Sequence, residues 1–167
     1  MNHRNELGAY YQEHFKTGVG VEVGTQVGLN AEQILREWKG KLFCVDCWSQ
    51  DSQYEESKAR LGAERCIKGN SVEVAKTFED DSLDFVFIDA GHRYEEVKAD
   101  LNAWFPKVRK GGVISGHDYV KYQDFGVIEV VDEFCKEHDY IPSFTEQDWW
   151  TDPNVGAVNF ISYYFEK

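Results

Sequence analysis

One feature constrains the fold of this chain more than any other: short apolar runs alternate with segments of helical periodicity. The first run, residues 19–24, ends in a glycine turn and precedes a segment whose apolar residues recur at i, i+3, i+4 and i+7. Four further apolar runs follow, at residues 41–46, 65–68, 82–89 and 113–116. Strands that alternate with helices are typical of a parallel sheet with helices packed on both faces. We therefore expect a doubly wound α/β fold.

The end of the chain has a different pattern. Two β-rich runs, residues 140–145 and 155–164, follow each other with no helix between them. The segment that joins them contains Asp152-Pro153-Asn154, which favours a turn, so we expect the two runs to pair antiparallel and close the sheet. A length of 167 residues predicts a single domain, residues 1–167. Within it, residues 1–17 are expected to form a helical extension that covers the site as a partial lid.

The charge of the chain narrows the choice of partners. There are 30 acidic and 18 basic residues, for a net charge of -12, which repels nucleic-acid phosphates and anionic lipids. No run of about 18 apolar residues and no export signal is present, so we expect a cytoplasmic protein that acts on a small molecule.

Cys44 and Cys47 lie in an apolar environment and are expected to be ordinary buried thiols. The aromatic-rich terminal segments favour a homodimer.

Candidate ligand-binding residues follow the first two strands, because ligands of doubly wound sheets bind beyond the carboxyl ends of the strands. The first strand leads into Glu22-Val23-Gly24-Thr25-Gln26-Val27-Gly28. A dinucleotide fingerprint would require glycine at positions 26 and 29, where this chain has Gln26 and Leu29. Asp46 ends the second strand, where an acidic residue can accept both hydroxyls of a ribose. Two carboxylates in these places predict an adenosine with a cationic tail rather than a diphosphate.

A second group of polar residues follows the fourth and fifth strands. Asp89-Ala90-Gly91-His92 and Gly116-His117-Asp118 bring two carboxylates and two imidazoles to one rim of the predicted sheet. Oxygen-rich clusters of this kind hold hard divalent cations such as Mg²⁺. The alternative is a solvated cluster at the strand ends, in which Asp118 caps a turn and His92 begins a helix.

These residues resemble class I S-adenosylmethionine-dependent methyltransferases over residues 17–165. Glu22-x-Gly24-x-x-x-Gly28 is similar to the first motif of that family, and Asp46 matches its ribose-binding acid. The resemblance implies a Rossmann-like fold with a mostly parallel seven-stranded sheet and a closing antiparallel strand. It also implies that the following residues bind the cofactor: Glu22, Gly24, Thr25, Gln26, Gly28, Asp46, Asn70 and Asp89. Asn70 is a weaker match, since the family has an acid there, and a role as a helix cap is equally open.

The rim cluster resembles the metal-dependent sugar and catechol O-methyltransferases through Asp89-x-x-His92 and the later Asp118. That resemblance implies a site for Mg²⁺ or another divalent cation at Asp89, His117 and Asp118, with His92 as the general base. His117 departs from the family, which has a carboxylate at this position. Imidazole is a softer ligand than carboxylate. This change therefore has two interpretations: the site binds a metal that tolerates nitrogen ligands, or the site is weak or empty.

The sequence thus predicts methyl transfer to a hydroxyl of a small sugar-like or phenolic acceptor. Three alternatives stay open: a metal-free methyltransferase in which His92 or His117 acts alone, a non-catalytic module that binds an adenosine ligand, and a nicotinamide oxidoreductase, which Gln26 disfavours. Trp149 and Trp150, with Tyr122 and Phe144, could form an aromatic wall for the acceptor; core packing or a subunit interface is the alternative.

Overall fold

Each of the five apolar runs forms a strand in the computed structural model, which describes all 167 residues. The helices are α1 (Leu7–Phe15), α2 (Leu29–Glu37), α3 (Asp51–Leu61), α4 (Ser71–Ala75), α5 (Tyr94–Trp104) and α6 (Val127–Glu137). The strands are β1 (Val19–Val23), β2 (Lys41–Asp46), β3 (Cys66–Lys68), β4 (Leu83–Ile88), β5 (Val108–Gly116), β6 (Ser143–Phe144), β7 (Trp149–Asp152), β8 (Gly156–Asn159) and β9 (Tyr163–Glu166). A short 3₁₀ turn, Arg4–Glu6, precedes α1. No helix combines the length and the apolar character that crossing a bilayer requires.

Seven strands form one sheet in the order β3-β2-β1-β4-β5-β9-β6. Strands β1 to β5 are parallel, and β9 runs antiparallel to both of its neighbours. The doubly wound, mostly parallel seven-stranded sheet expected from the sequence is therefore confirmed. The chain reverses its direction of winding between β1 and β4, and such a switch point opens a crevice at the carboxyl ends of the strands.

The sheet separates two hydrophobic cores. Successive side chains of a strand point to opposite faces, and β4 is apolar on both. Phe85 and Phe87 pack in the core that contains α1, α2 and α3, whereas Val86 and Ile88 pack in the core that contains α5 and α6. Burial on both faces explains why β4 is a continuous apolar run in the sequence.

The closing strands confirm one expected pairing and correct another. Ser143 and Phe144 pair antiparallel with the end of the chain, as predicted. Residues 156–159, however, pair with β7 and form a separate two-stranded hairpin. The hairpin turn is closed locally, because the Asp152 carboxylate accepts hydrogen bonds from the backbone N–H groups of Asn154 and Val155 at 2.6 and 3.0 Å.

The N-terminal segment is helical, and α1 belongs to the core rather than to the partial lid expected of residues 1–17. Leu7 and Tyr11 are fully buried, and the Tyr11 ring stacks on Phe85 with the ring centroids 3.7 Å apart. The Tyr11 hydroxyl also lies 2.7 Å from the Ser115 hydroxyl. Apolar side chains on one face of α1 bind it to the sheet, so only the 3₁₀ turn before it reaches the crevice.

The two neighbouring cysteines differ in burial. Cys44 is buried in β2 as expected, whereas Cys47 is exposed and lines the crevice. The expectation of two buried thiols is therefore wrong for Cys47, because β2 ends at Asp46 and the chain leaves the sheet before it reaches Cys47.

Candidate active site

The crevice at the carboxyl ends of the strands holds a cavity of about 880 Å³. This volume is within the range of small-molecule sites. Among the residues singled out from the sequence, those that line it are Gly24, Gln26, Asp46, Asn70, Asp89, His92, His117 and Asp118. Glu22, Thr25 and Gly28 do not line it. The topology thus brings most of the predicted site residues together in one place.

The loop after β1 approaches the loop after β4 closely. Gly24 has a φ of 90°, and a Cβ on this residue would overlap the main-chain oxygen of Asp89. Only glycine satisfies both conditions, which accounts for its place in the motif. Gln26, two residues further along, has a φ of 52°, and Asp118 has a φ of 59°. Two non-glycine residues of the cavity thus adopt left-handed backbone, which costs energy.

The Asp46 carboxylate is fixed in place by the backbone around it. Its Oδ2 accepts a hydrogen bond from the N–H of Gln26 at 2.8 Å, and its Oδ1 accepts one from the N–H of Trp48 at 2.7 Å. The Trp48 indole N–H donates in turn to the carbonyl of Gln26. Each carboxylate oxygen has two acceptor sites, so Asp46 keeps one on each oxygen for a ligand.

Glu22 is placed differently from the sequence expectation. It is buried beneath the cavity, where its Oε1 accepts a hydrogen bond from the Asn30 side chain at 2.9 Å and its Oε2 has no partner. Burial, partly offset by the bond from Asn30, raises the pKa of Glu22 to about 7. A contact between Glu22 and the cofactor stays a prediction, as it does for Thr25 and Gly28.

The rim cluster is built on Asp89, His92 and Asp118. His92 Nε2 lies 2.7 Å from Asp118 Oδ2 and 3.9 Å from Asp89 Oδ1. One ligand atom from each of the three residues lies within 4.8 Å of the others. Two carboxylates and one imidazole at this separation can hold a divalent cation. The hydrogen bond to Asp118 and then the nearby Asp89 carboxylate raise the pKa of His92 to about 10.

His117 lies beside this group, with its Nδ1 4.0 Å from Asp89 Oδ2. Its Nδ1 lies 2.9 Å from Asp118 Oδ1, and its Nε2 lies 3.0 Å from Asp148 Oδ2, so both ring nitrogens have a partner. Burial lowers the pKa of His117, but the bonds to Asp118 and Asp148 outweigh it and hold that pKa at about 9. Burial would raise the pKa of Asp118, yet its two histidine partners hold it well below its usual range. The geometry thus favours His92 over His117 as a third ligand beside the two carboxylates.

Several charged residues of the site escaped the sequence analysis, among them Arg4, Asp148 and Asp100. Arg4 lines the cavity, and its Nε lies 2.9 Å from Asp148 Oδ2. No local pattern marks this pair, because its members are far apart in the chain. Asp100 also lines the cavity, although it is buried in α5. A detectable signal exists for Asp100, since it is the one acid on the apolar face of the helix defined by Val97 and Leu101.

Aromatic rings extend from the rim cluster toward the hairpin. The His92 ring stacks on Phe125 at 4.4 Å, and Phe160 bridges Tyr122 at 5.2 Å and Trp150 at 6.1 Å between ring centroids. Trp150 and Tyr122 therefore belong to one cluster of aromatic rings, as the sequence analysis supposed. Phe144 does not, because it packs against Tyr119.

The chain resembles known proteins at the level of family and fold. A family profile described as "Methyltransferase domain" matches residues 21–119. A curated protein of Sinorhizobium fredii, described as uncharacterized protein y4gI, is 33% identical over 100 residues, which cover 52% of this chain. The match spans 11% of the length of that relative.

Solved structures extend the likeness to the whole chain. A structure described as a proposed rRNA methylase from Clostridium thermocellum superposes with a TM-score of 0.74 and 19% identity, over 100% of this chain and 98% of that one. The O-methyltransferase TomG from Streptomyces achromogenes, in complex with S-adenosylmethionine, superposes with a TM-score of 0.72 and 14% identity, over 98% of this chain and 79% of that one. At such identities the likeness concerns the fold.

Proposed function

Since the chain belongs to the methyltransferase domain family, we propose that it transfers the methyl group of S-adenosylmethionine to a hydroxyl of a small-molecule acceptor. The observation that carries the proposal is the position of His92, whose Nε2 lies 2.7 Å from Asp118 at the rim of the cavity. An imidazole that a carboxylate holds through one ring nitrogen can act as a general base through the other nitrogen when the ring is neutral. Hydroxyl groups are acceptors that need such a base.

The charges of the cavity support S-adenosylmethionine as the methyl donor. Six carboxylates line the cavity: Asp46, Asp89, Glu95, Glu96, Asp100 and Asp118. The donor has a sulfonium and an ammonium group, which these carboxylates attract. Asp46, with one free acceptor site on each oxygen, would hold the ribose hydroxyls, and Asn70 lies in the same cavity. When bound, the donor supplies an activated methyl group.

The chain's own residues would position the acceptor and remove its proton. Displacement at a methyl group requires the acceptor oxygen in line with the bond that breaks, so orientation within the cavity is the main contribution of the protein. His92 Nδ1 would take the proton of the acceptor hydroxyl, since Nε2 donates to the Asp118 carboxylate. It would do so in the neutral form of the ring, which the raised pKa of about 10 makes the major form only at alkaline pH. Asp118, which contacts His92 and His117 on its two oxygens, would keep the His92 ring oriented.

A divalent cation fits the carboxylates of the rim. Asp89 and Asp118 would supply its oxygen ligands, and such an ion would orient the acceptor hydroxyl and lower its pKa. A second candidate, a metal-free enzyme, is favoured by a separate observation. Arg4 Nη1 lies 3.7 Å from Asp89 Oδ2 and His92 lies against Asp118, so cationic side chains already offset both carboxylates.

Release of S-adenosylhomocysteine, measured with a panel of phenols and sugars, tests the proposal. His92→Ala should lower kcat by about 10²–10⁴-fold, the usual contribution of a positioned base. His14→Ala is the matched control, because His14 is an exposed histidine of α1 outside the cavity. Cofactor binding by His92→Ala should be unchanged. A chain that binds the donor but releases no product with any acceptor would instead be a binding module.

The same assay with EDTA separates the two candidates. If Asp89 and Asp118 hold a cation, EDTA should abolish turnover, Mg²⁺ or another divalent ion should restore it, and donor binding should persist. Full turnover by metal-free protein would exclude the cation and support the second candidate. In both cases the loss of activity in His92→Ala is expected.

A further inference from the structure

We propose that Arg4 binds the α-carboxylate of S-adenosylmethionine and so selects a donor with an intact amino-acid end. The inference rests on the proposed function and concerns a residue outside the part of the chain that matches the family, residues 21–119. Its basis is the charge of the cavity, the topology of the sheet and the way in which Arg4 is held.

Arg4 is the only lysine or arginine that lines the cavity. The other ionisable side chains there are six carboxylates, two histidines and Cys47. The amino-acid end of the donor has a carboxylate, which the acidic lining repels. Both histidines contact Asp118, which offsets their charge. Arg4 is therefore the one permanent positive charge that can receive this carboxylate.

The topology places Arg4 at the correct end of the cavity. Asp46 and Asn70, the residues expected at the adenosine end, follow β2 and β3 on one side of the sheet. Gly24 and Asp89 follow the adjacent strands β1 and β4, and Arg4 approaches Asp89. A donor with its ribose at Asp46 thus extends its amino-acid end toward Arg4, since neighbouring strands are about 4.8 Å apart.

The N-terminal segment holds Arg4 in this position. The carbonyl of Asn2 accepts hydrogen bonds from the N–H groups of Glu146 and Gln147 at 3.1 and 2.9 Å. Asp148 forms ion pairs with Arg4 and with His3. The Nε of Arg4 lies 2.9 Å from Asp148 Oδ2, whereas Nη1 lies 3.7 Å from Asp89 Oδ2, which is longer than a hydrogen bond. The donors of Nη1 are therefore free for a ligand.

Calorimetry with two ligands tests the inference. S-adenosylhomocysteine has the carboxylate, and its decarboxylated analogue lacks only that group. Arg4→Gln should weaken binding of S-adenosylhomocysteine about tenfold or more, as expected for a lost charge-assisted hydrogen bond, and leave the affinity for the analogue unchanged. Arg4→Lys should restore part of the affinity. Arg93→Gln is the control. Because Arg93 pairs with Asp124 outside the cavity, this variant should bind both ligands with unchanged affinity.

The possible outcomes are distinct. If Arg4→Gln and Arg4→Lys lose affinity for both ligands equally, Arg4 only anchors the N-terminal segment. If both variants keep their affinity for both ligands, Arg4 is not part of the binding site. Either result overturns the inference and leaves the proposed function standing. If the unaltered protein binds neither S-adenosylmethionine nor S-adenosylhomocysteine, the proposed function fails first and the inference with it.

Discussion

At the scale of single residues, two acids on adjacent strands show how burial determines the role of a carboxylate. Asp46 lines the cavity and is fixed by two backbone hydrogen bonds that leave acceptor sites free. Glu22 lies out of the cavity with one oxygen that has no partner. The first arrangement is suited to binding a ligand. The second affects stability, because a buried carboxylate favours its protonated form.

Replacement of Asp46 by alanine should weaken the binding of S-adenosylhomocysteine by roughly tenfold or more. The reason is the loss of hydrogen bonds between a carboxylate and the ribose hydroxyls, each of a kind that contributes about 1.5–3 kcal/mol. Titration calorimetry measures the change. Asp51→Ala is the control, since Asp51 is an exposed acid outside the cavity. Equal affinity in Asp46→Ala and the unaltered protein would remove Asp46 from the ribose role.

The pKa of Glu22 makes stability depend on pH. Because the folded pKa is about 7 and the ordinary value is 4.5, the unfolded chain loses this proton first as the pH rises. Stability should therefore fall between these two pH values, by about 3 kcal/mol in all, and then level off. Glu22→Gln should remove this dependence.

Urea unfolding of Glu22→Gln at acidic and at alkaline pH provides the check. The variant should be more stable than the unaltered protein above the folded pKa and comparable to it below the ordinary one. Glu79→Gln, a change at an exposed position, should not alter the pH dependence. A Glu22→Gln variant with the same pH profile as the unaltered protein would contradict the assignment.

At the scale of elements, the N-terminal helix contributes to the core. Tyr11→Ala should lower the free energy of unfolding by about 3–5 kcal/mol, because the Tyr11 ring is fully buried against Phe85. Tyr11→Phe, which keeps the ring and loses the bond to Ser115, should cost about 0.5–1.5 kcal/mol. Urea unfolding measures both. A loss of activity in Tyr11→Ala without a loss of stability would restore the idea that α1 is a lid.

The strands and the main loops of the site could be predicted because their signals are local. β4 is a continuous apolar run, and residues that follow parallel strands must meet at one edge of the sheet. The β7–β8 hairpin could not be predicted in the same way. Trp149 and Trp150 are 64% and 50% exposed, so this hairpin lacks the alternation of apolar and polar residues that marks a half-buried strand.

The residues of the site that the sequence did not reveal depend on tertiary contacts. Arg4 meets Asp148 only because the N-terminal segment and the loop before β7 lie side by side. The contact of His117 Nε2 with Asp148 has the same origin. Periodicity and motif spacing describe neighbours in sequence or along one sheet edge, and neither describes a contact between two loops.

At the scale of the whole molecule, the chain belongs to the methyltransferase domain family and has a doubly wound α/β fold. The family match covers residues 21–119, and the sheet has the seven strands and the antiparallel strand expected from the sequence. The cavity joins two parts with different chemistry: the proposed donor site along β1 and β2, and a rim on β4 and β5 with the proposed base. The homodimer expected from exposed aromatic residues stays a prediction.

The most direct test of this account is a crystal structure grown with S-adenosylhomocysteine. We predict one molecule per chain in the cavity, with the ribose hydroxyls on Asp46, the amino-acid end beside Gly24 and Asp89, and the sulfur facing His92. NAD under the same conditions should leave the cavity empty. A ligand bound elsewhere on the chain, or an empty cavity at saturating S-adenosylhomocysteine, would contradict the assignment of this crevice as the methyl-donor site.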